Sequence, residues 1–215
     1  MITQNTLSFL KDLSENNNRA WFEQNKQRYL EAHQNMEDFM SELITQIRKI
    51  EPIYEKDSKK YVYRIYRDLR FSKDKTPYKT FFSGLIERSE LFQKCPFYIS
   101  IEPNKSMIGG GSWQPEPKKL LKIRQYIDKH GDKLEKILKK PTFKKMFGDL
   151  QGETLKRHPL GFSVDSPYID FLKHKDFTVG REFSNAQVTS TDFIKLLVDS
   201  YREVLPFFHF FDNIE

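Results

Sequence analysis

The run Arg64-Ile-Tyr-Arg-Asp-Leu-Arg-Phe-Ser-Lys-Asp-Lys-Thr-Pro-Tyr-Lys79 is where residue types and spacing come nearest to chemistry in this chain. From Lys59 to Lys79 eight Lys or Arg side chains stand against two acids, Asp68 and Asp74, a local charge of +6. Cations at that density make a positive field suited to an anion. In an extended chain alternate residues share a face, which groups Arg64, Tyr66, Asp68 and Arg70. Arg67 falls on the opposite side with Ile65, Leu69 and Phe71, and an arginine on an apolar face needs a carboxylate or a ligand.

Asp68, framed by Arg64 and Arg70, is the candidate catalytic residue and has two readings. It orients two guanidinium groups toward a substrate or handles a proton. Alternatively it is a structural ion pair whose cationic neighbours depress its pKa and make it a poor base. Thr76-Pro77 reads as cap and first residue of a short helix. The N–H groups of such a start, with Lys73, Lys75 and Lys79 nearby, would hold a phosphate or carboxylate. The plainer reading is a lysine-rich surface loop whose cap serves only folding. Arg64, Tyr66, Arg67, Arg70, Lys73, Lys75 and Lys79 thus form the candidate ligand site.

Gly109-Gly-Gly111 interrupts a strand pattern, which calls for close approach of a ligand or another backbone segment, or for a bulge. Gly110 and the adjoining Trp113, an indole able to stack on a ring, join the candidate list, although a tryptophan is more often core. Arg67-Asp-Leu echoes a protein-kinase catalytic loop, but the preceding His, the downstream Asn, Asp-Phe-Gly and a nucleotide-loop glycine pattern are missing. His33, His130, His158, His174 and His209 show no paired ligand spacing, Cys95 has no partner cysteine, and no Gly-x-Ser-x-Gly elbow occurs. No metal and no cofactor is expected.

Positioning these residues falls to an α+β order of elements. Thr6 is predicted to cap a helix carrying Phe9, Leu10 and Leu13, ended by Asn16-Asn-Asn18. Asn18 then caps a long helix in which Trp21, Phe22, Tyr29, Met36, Phe39, Met40, Leu43, Ile44 and Ile47 recur at three- and four-residue steps until Pro52. Strands are expected at Tyr61–Phe71, at Thr80–Glu87 (or a short helix there), and in a hairpin of Phe97–Glu102 and Met107–Trp113 turning at Pro103–Ser106. Pro115-Glu-Pro117 opens a helix to Lys129 that Gly131 breaks, Asp132 caps another, and Pro141 and Gly148 bracket a third. A short helix from Ser166-Pro167 to Leu172, a strand at Phe177–Phe183, and a last helix from Ser190 or Thr191, bent or ended by Pro206, complete the chain. With no repeat and no low-complexity linker, residues 1–215 read as one α+β domain, with a small, mostly antiparallel sheet packed by the long N-terminal helix and several C-terminal helices. Residues 115–175 are a candidate helical subdomain.

The composition fits a folded protein with a heavily charged surface: 38% apolar, 31% charged, with 19 Phe and 10 Tyr for an aromatic core. One cysteine excludes an intramolecular disulfide framework, and no apolar run suggests a membrane span or leader, so a cytoplasmic location is expected. The net charge of +6 is concentrated in residues 59–79 (+6) and 115–146 (+7), between acidic flanks. The second of these is read as a solvated lysine face unless it converges with the first.

Phe9-Leu-Lys-Asp-Leu13, Asn16-Asn-Asn-Arg-Ala-Trp-Phe22, Arg64 through Lys79, Gly109-Gly-Gly-Ser-Trp113, Pro115-Glu-Pro117 and Leu155-Lys-Arg157 together resemble one family. It is the mostly bacterial group catalogued as domain of unknown function family 2461, and the likeness runs from Phe9 to about Pro206. The resemblance implies a single α+β domain in a cytoplasmic protein and carries no activity with it. The family pattern has a histidine after Tyr-Lys-Thr, where this chain has Phe81, which weakens any mechanism with a histidine base there.

The favoured expectation is a module that binds a phosphate-bearing or acidic small ligand through Arg64–Lys79. The alternative is an enzyme on such a ligand, with Asp68 orienting or handling a proton and the arginines stabilising developing charge. Nonspecific nucleic-acid binding ranks third, because the aromatics fall at core periods and are not interleaved with the cations.

Overall fold

Local capping decides the first helices. In the computed structural model, which describes residues 1–54, 61–88 and 95–214, helix α1 (Gln4–Glu15) starts one turn earlier than expected. Thr3 is its cap and accepts the Thr6 N–H, while Thr6 is buried and its hydroxyl donates to Asn35 Oδ1 at 2.8 Å. Asn18 caps α2 (Arg19–Gln24) as predicted, accepting the Trp21 N–H at 3.0 Å. The long helix is split at Asn25, which sits at φ −107°, ψ 17° and donates its side-chain amide to the Trp21 carbonyl at 2.9 Å. An Asn side chain that bonds nearby backbone competes with the helix ladder. Helix α3 (Lys26–Ile47) follows, with Ala32, Met36, Phe39, Met40, Leu43, Ile44 and Ile47 on its buried face.

Residues 61–71 do not form the expected strand. Only two isolated antiparallel bridges occur there, Val62 with Gly84 and Tyr66 with Tyr78, supported by Tyr63 N–H to Ser83 O (2.8 Å), Arg67 N–H to Pro77 O (3.0 Å) and Lys79 N–H to Ile65 O (2.8 Å). Phe71, assigned to the apolar face by alternation, is 94% exposed. Regular pleating would have to bury Arg67 along with it, and a loop that lets the guanidinium find polar partners costs less. Thr76-Pro77 opens no helix either: the Thr76 N–H is taken by Asp74 Oδ1 at 2.9 Å, and Pro77 lies in no regular element.

The expected α+β class is what forms. Among the described residues there are eight helices and one four-stranded antiparallel sheet in the order β1 (Phe82–Ile86), β2 (Phe97–Ile101), β3 (Ser106–Ser112), β4 (Phe177–Phe183). The β2–β3 turn falls where predicted. Asn104 takes a positive φ of 65°, and Ser106 Oγ both accepts the Glu102 N–H (3.1 Å) and donates to the Glu102 carbonyl (2.9 Å).

The chain groups into two compact units, 1–86 with 98–108 and 182–199, and 87–97 with 109–181 and 200–215. The first unit has an aromatic core. Phe9 meets Phe22, Tyr29 and Phe82, Phe22 stacks on Tyr78 at 3.9 Å with rings 12° apart, and Phe39 stacks on Phe193 at 5.4 Å.

The second unit contains α4 (Pro117–Lys139), α5 (Pro141–Phe147) and α6 (Ile169–Leu172). The break expected at Gly131 is a kink: His130 leaves the helical region (φ −133°, ψ 22°), so two helical stretches meet there within α4. Gly131 itself lies against the Tyr168 ring, which is 2.3 Å from where a Cβ would stand. After α7 (Asn185–Val188), opened by a capping box of Ser184 and Gln187, helix α8 (Phe193–Asp212) runs on through Pro206. Pro206 is exposed, while Phe207, Phe208, Phe210 and Phe211 are buried, and that burial holds the turn which a proline would weaken.

Two features of this unit were not legible in advance. Arg88 is 0% exposed and forms a two-pronged pair with Asp212, Nη2 to Oδ2 at 2.8 Å and Nη1 to Oδ1 at 3.2 Å, with its guanidinium 5.4 Å from the Phe208 ring centre. Trp113, assigned a core or stacking role, is 72% exposed. Among the described residues no helix is long and apolar enough to cross a membrane.

Candidate functional site

The loop 67–76 is organised around Asp74. Its carboxylate accepts the Thr76 N–H (2.9 Å), the Thr76 hydroxyl (3.0 Å) and an Arg67 Nη1–H. Arg67 also donates to Thr76 Oγ1 and O and to Ser72 Oγ (3.4 Å), and Ser72 Oγ donates to the Asp74 carbonyl at 2.8 Å. The arginine that needed a carboxylate has one, seven residues on. These bonds, the Thr76 N–H first and the Arg67 guanidinium next, bring the Asp74 carboxyl down to about 2.

A pH prediction follows from that shift. An unfolded Asp titrates near ~3.9, so the ties of Asp74 contribute in full above about pH 4 and are lost as pH falls toward 2. The Thr76 amide resonance, followed by NMR, should therefore move with a midpoint near 2. A midpoint at the ordinary Asp value would mean that the carboxylate is not held.

The other cations divide into two sets. Arg70 chelates Asp68 through Nε (3.0 and 3.2 Å) and Nη2 (2.7 Å), with both side chains exposed, and this bond lowers the Asp68 carboxyl. Lys75 Nζ donates to the Leu69 carbonyl at 3.0 Å. Arg64 and Lys73 have no hydrogen bond or ion pair among the described residues. Among the described residues the Lys79 ammonium has the Tyr63 ring, 5.6 Å from its Nζ, and no hydrogen bond or ion pair. Burial, and secondarily the charge of Arg64, lowers the Lys79 ammonium pKa. Lys59 and Lys60 lie outside the described residues.

A pocket of about 470 Å³ opens here, with Arg67, Asp68, Asp74, Thr76 and Lys79 in its wall. Its floor is fixed by Asn17, whose side-chain amide donates to the Tyr78 carbonyl (2.9 Å) and accepts the Tyr78 N–H (3.1 Å). Tyr78 packs in turn with Phe22 and Tyr66, which also meet each other, so Tyr66 serves an aromatic cluster beside the pocket. Thr80 is tied to Glu102 Oε1 at 2.9 Å. Sequence reading missed Asn17, although the Asn16–Asn18 run was visible as a helix stop.

Gly110 and Trp113 belong to the second unit. A Cβ on Gly110 would lie 2.4 Å from the Phe208 ring and 2.7 Å from the Pro96 carbonyl, so packing of the chain on itself accounts for this glycine. Among the described residues no group of three or more His, Cys, Asp or Glu is placed to hold a metal ion.

A search of curated proteins and of solved structures finds no match to the chain. Residues 5–210 do match a family described as conserved hypothetical protein (DUF2461), and the chain belongs to that family.

Proposed function

We propose that the pocket around Lys79 binds a small phosphate-bearing or acidic ligand in a cytoplasmic protein. The observation that carries this reading is a division of labour among the cations: Arg67 and Arg70 neutralise the two acids of the wall, while Lys79 and Arg64 stay uncommitted beside it. A half-buried ammonium beside a second cation is destabilised by desolvation and repulsion, and an anion relieves both. Arg67 acts in this reading through the shape of the loop.

The alternative, an enzyme on such a ligand, draws on Asp68 lining the same pocket. With its pKa lowered by Arg70 it is a weak base, so orientation of Arg70 is the role that suits it. Asp68→Asn with binding retained and ligand turnover lost would favour that alternative.

The test is calorimetric titration with inorganic phosphate and a panel of phosphorylated metabolites and nucleotides at two salt concentrations. Lys79→Ala should weaken the best ligand by about tenfold, equivalent to ~1.4 kcal/mol. Arg64→Ala should do so by a few-fold, the fold being retained in both. A best ligand that binds both variants as tightly as wild type would sink the proposal. Affinity that falls steeply with salt and does so most for oligonucleotides would replace it with nucleic-acid binding.

A further inference from the structure

The segment Gly109–Pro117 and the lysines after it are not used by the site above. β3 ends at Ser112, and five residues later α4 begins. In the second unit this junction borders a pocket of about 500 Å³, in the size range of small-molecule sites. Its lining is mainly apolar and includes Ile123, Phe211 and Ile214. On the polar side stand Lys118, Lys119 and Lys122, opposed by a single acid, Glu116.

Those lysines are placed where a helix disfavours them. Lys118 and Lys119 occupy the first turn of α4, at the positive end of its dipole, and the turn contains no acidic residue. Lys118 and Lys122 are like charges four residues apart. The cap residue Glu116 makes no side-chain hydrogen bond to the first-turn amides. None of the three lysines has a hydrogen bond or ion pair among the described residues, whereas Lys139, Lys140 and Lys144 farther along the same basic stretch pair with Glu135, Glu203 and Asp149. A second, independent observation is Ser112: it lines the pocket, is 3% exposed, and its hydroxyl has no partner among the described residues. Buried hydroxyls are normally satisfied, and one left unpaired is costly.

We propose that this pocket binds a small organic anion with an apolar body. The anionic head meets Lys118, Lys119, Lys122 and the uncapped first-turn amides. The body packs on Ile123, Phe211 and Ile214, and the Ser112 hydroxyl has an acceptor to serve. A head without a body leaves the apolar wall wet, and a body without a head leaves the lysines unpaired. The site shares no residue with the Lys79 pocket and stands or falls separately.

Three probes of the whole chain test it by calorimetry: octanoate, octanol as the uncharged body, and inorganic phosphate as the bare head. Octanoate should saturate at one site, with octanol and phosphate each at least about tenfold weaker, a ~1.4 kcal/mol separation. Replacing all three lysines by glutamine should weaken octanoate by about tenfold or more, and Ser112→Ala by a few-fold, with folding checked by circular dichroism. The lysine changes lie on the surface and should leave the fold intact. Octanoate that fails to saturate, octanol binding as tightly as octanoate, or octanoate affinity unchanged in both variants would each overturn the proposal.

Discussion

Arg88→Met should lower the free energy of unfolding by about 3–5 kcal/mol, because it takes a buried charged partner away from the Asp212 carboxylate. The reverse change, Asp212→Leu, should cost a similar amount by removing a carboxylate from a guanidinium with no exposure to water. A single domain commonly has ~5–15 kcal/mol in total, so either variant approaches the threshold of folding. The loss comes from the charge left behind more than from the bond removed. Arg88→Met with Asp212→Leu should therefore cost clearly less than the two single losses added, since two apolar groups of similar bulk need no partner. Urea unfolding of the four proteins reads this out as midpoints at constant slope. Single variants within about 1 kcal/mol of wild type would show that water reaches the pair and that it behaves as a surface contact.

Gly111→Ala should be strongly destabilising. Gly111 has φ +128°, where a side chain is strained, and an ideal Cβ would lie 2.1 Å from the Phe177 carbonyl oxygen and 2.9 Å from Thr178 Cα. Both obstacles are backbone of β4, which cannot swing aside as a side-chain tip would. Conformational strain of ~1–3 kcal/mol and overpacking of ~1–3 kcal/mol add to an expected loss of roughly 2–6 kcal/mol. Gly148→Ala is the control. Gly148 also has positive φ (+70°), but no atom lies within 4 Å of its Cβ position, so it carries the conformational part alone. Thermal unfolding of the two variants side by side separates the causes. Equal losses would mean that β3 and β4 open to admit the methyl group, and that close backbone approach is not why a glycine is there.

Some features of the site were legible early because their causes are local. Asn18 was readable as a cap because a short polar side chain needs only an amide three residues away. Pro103–Ser106 was readable as a turn, and β4 was assigned with its observed ends, since alternation and turn chemistry act over a few residues. The demand of Arg67 for a carboxylate was legible too, but not that Asp74 would supply it by folding the loop back. That closure cost the predicted strand and the predicted helix start together. Asp68 and Arg70 were legible as neighbours and do pair.

The sequence by itself determined the α+β composition of the chain, the buried faces of the main helices, the Asn18 cap, the β2–β3 hairpin, and the two basic segments. Those follow from period, capping and turn residues, all interactions among near neighbours. Only the tertiary structure decided which charges are spent and which are left. It pairs Arg88 with Asp212 across 124 positions, sets Asn17 under Tyr78 across 61, and brings Phe211 and Ile214 beside the uncommitted lysines of α4. Coulomb and hydrogen-bond energies depend on distance and burial in space, and neither can be read from separation along a chain.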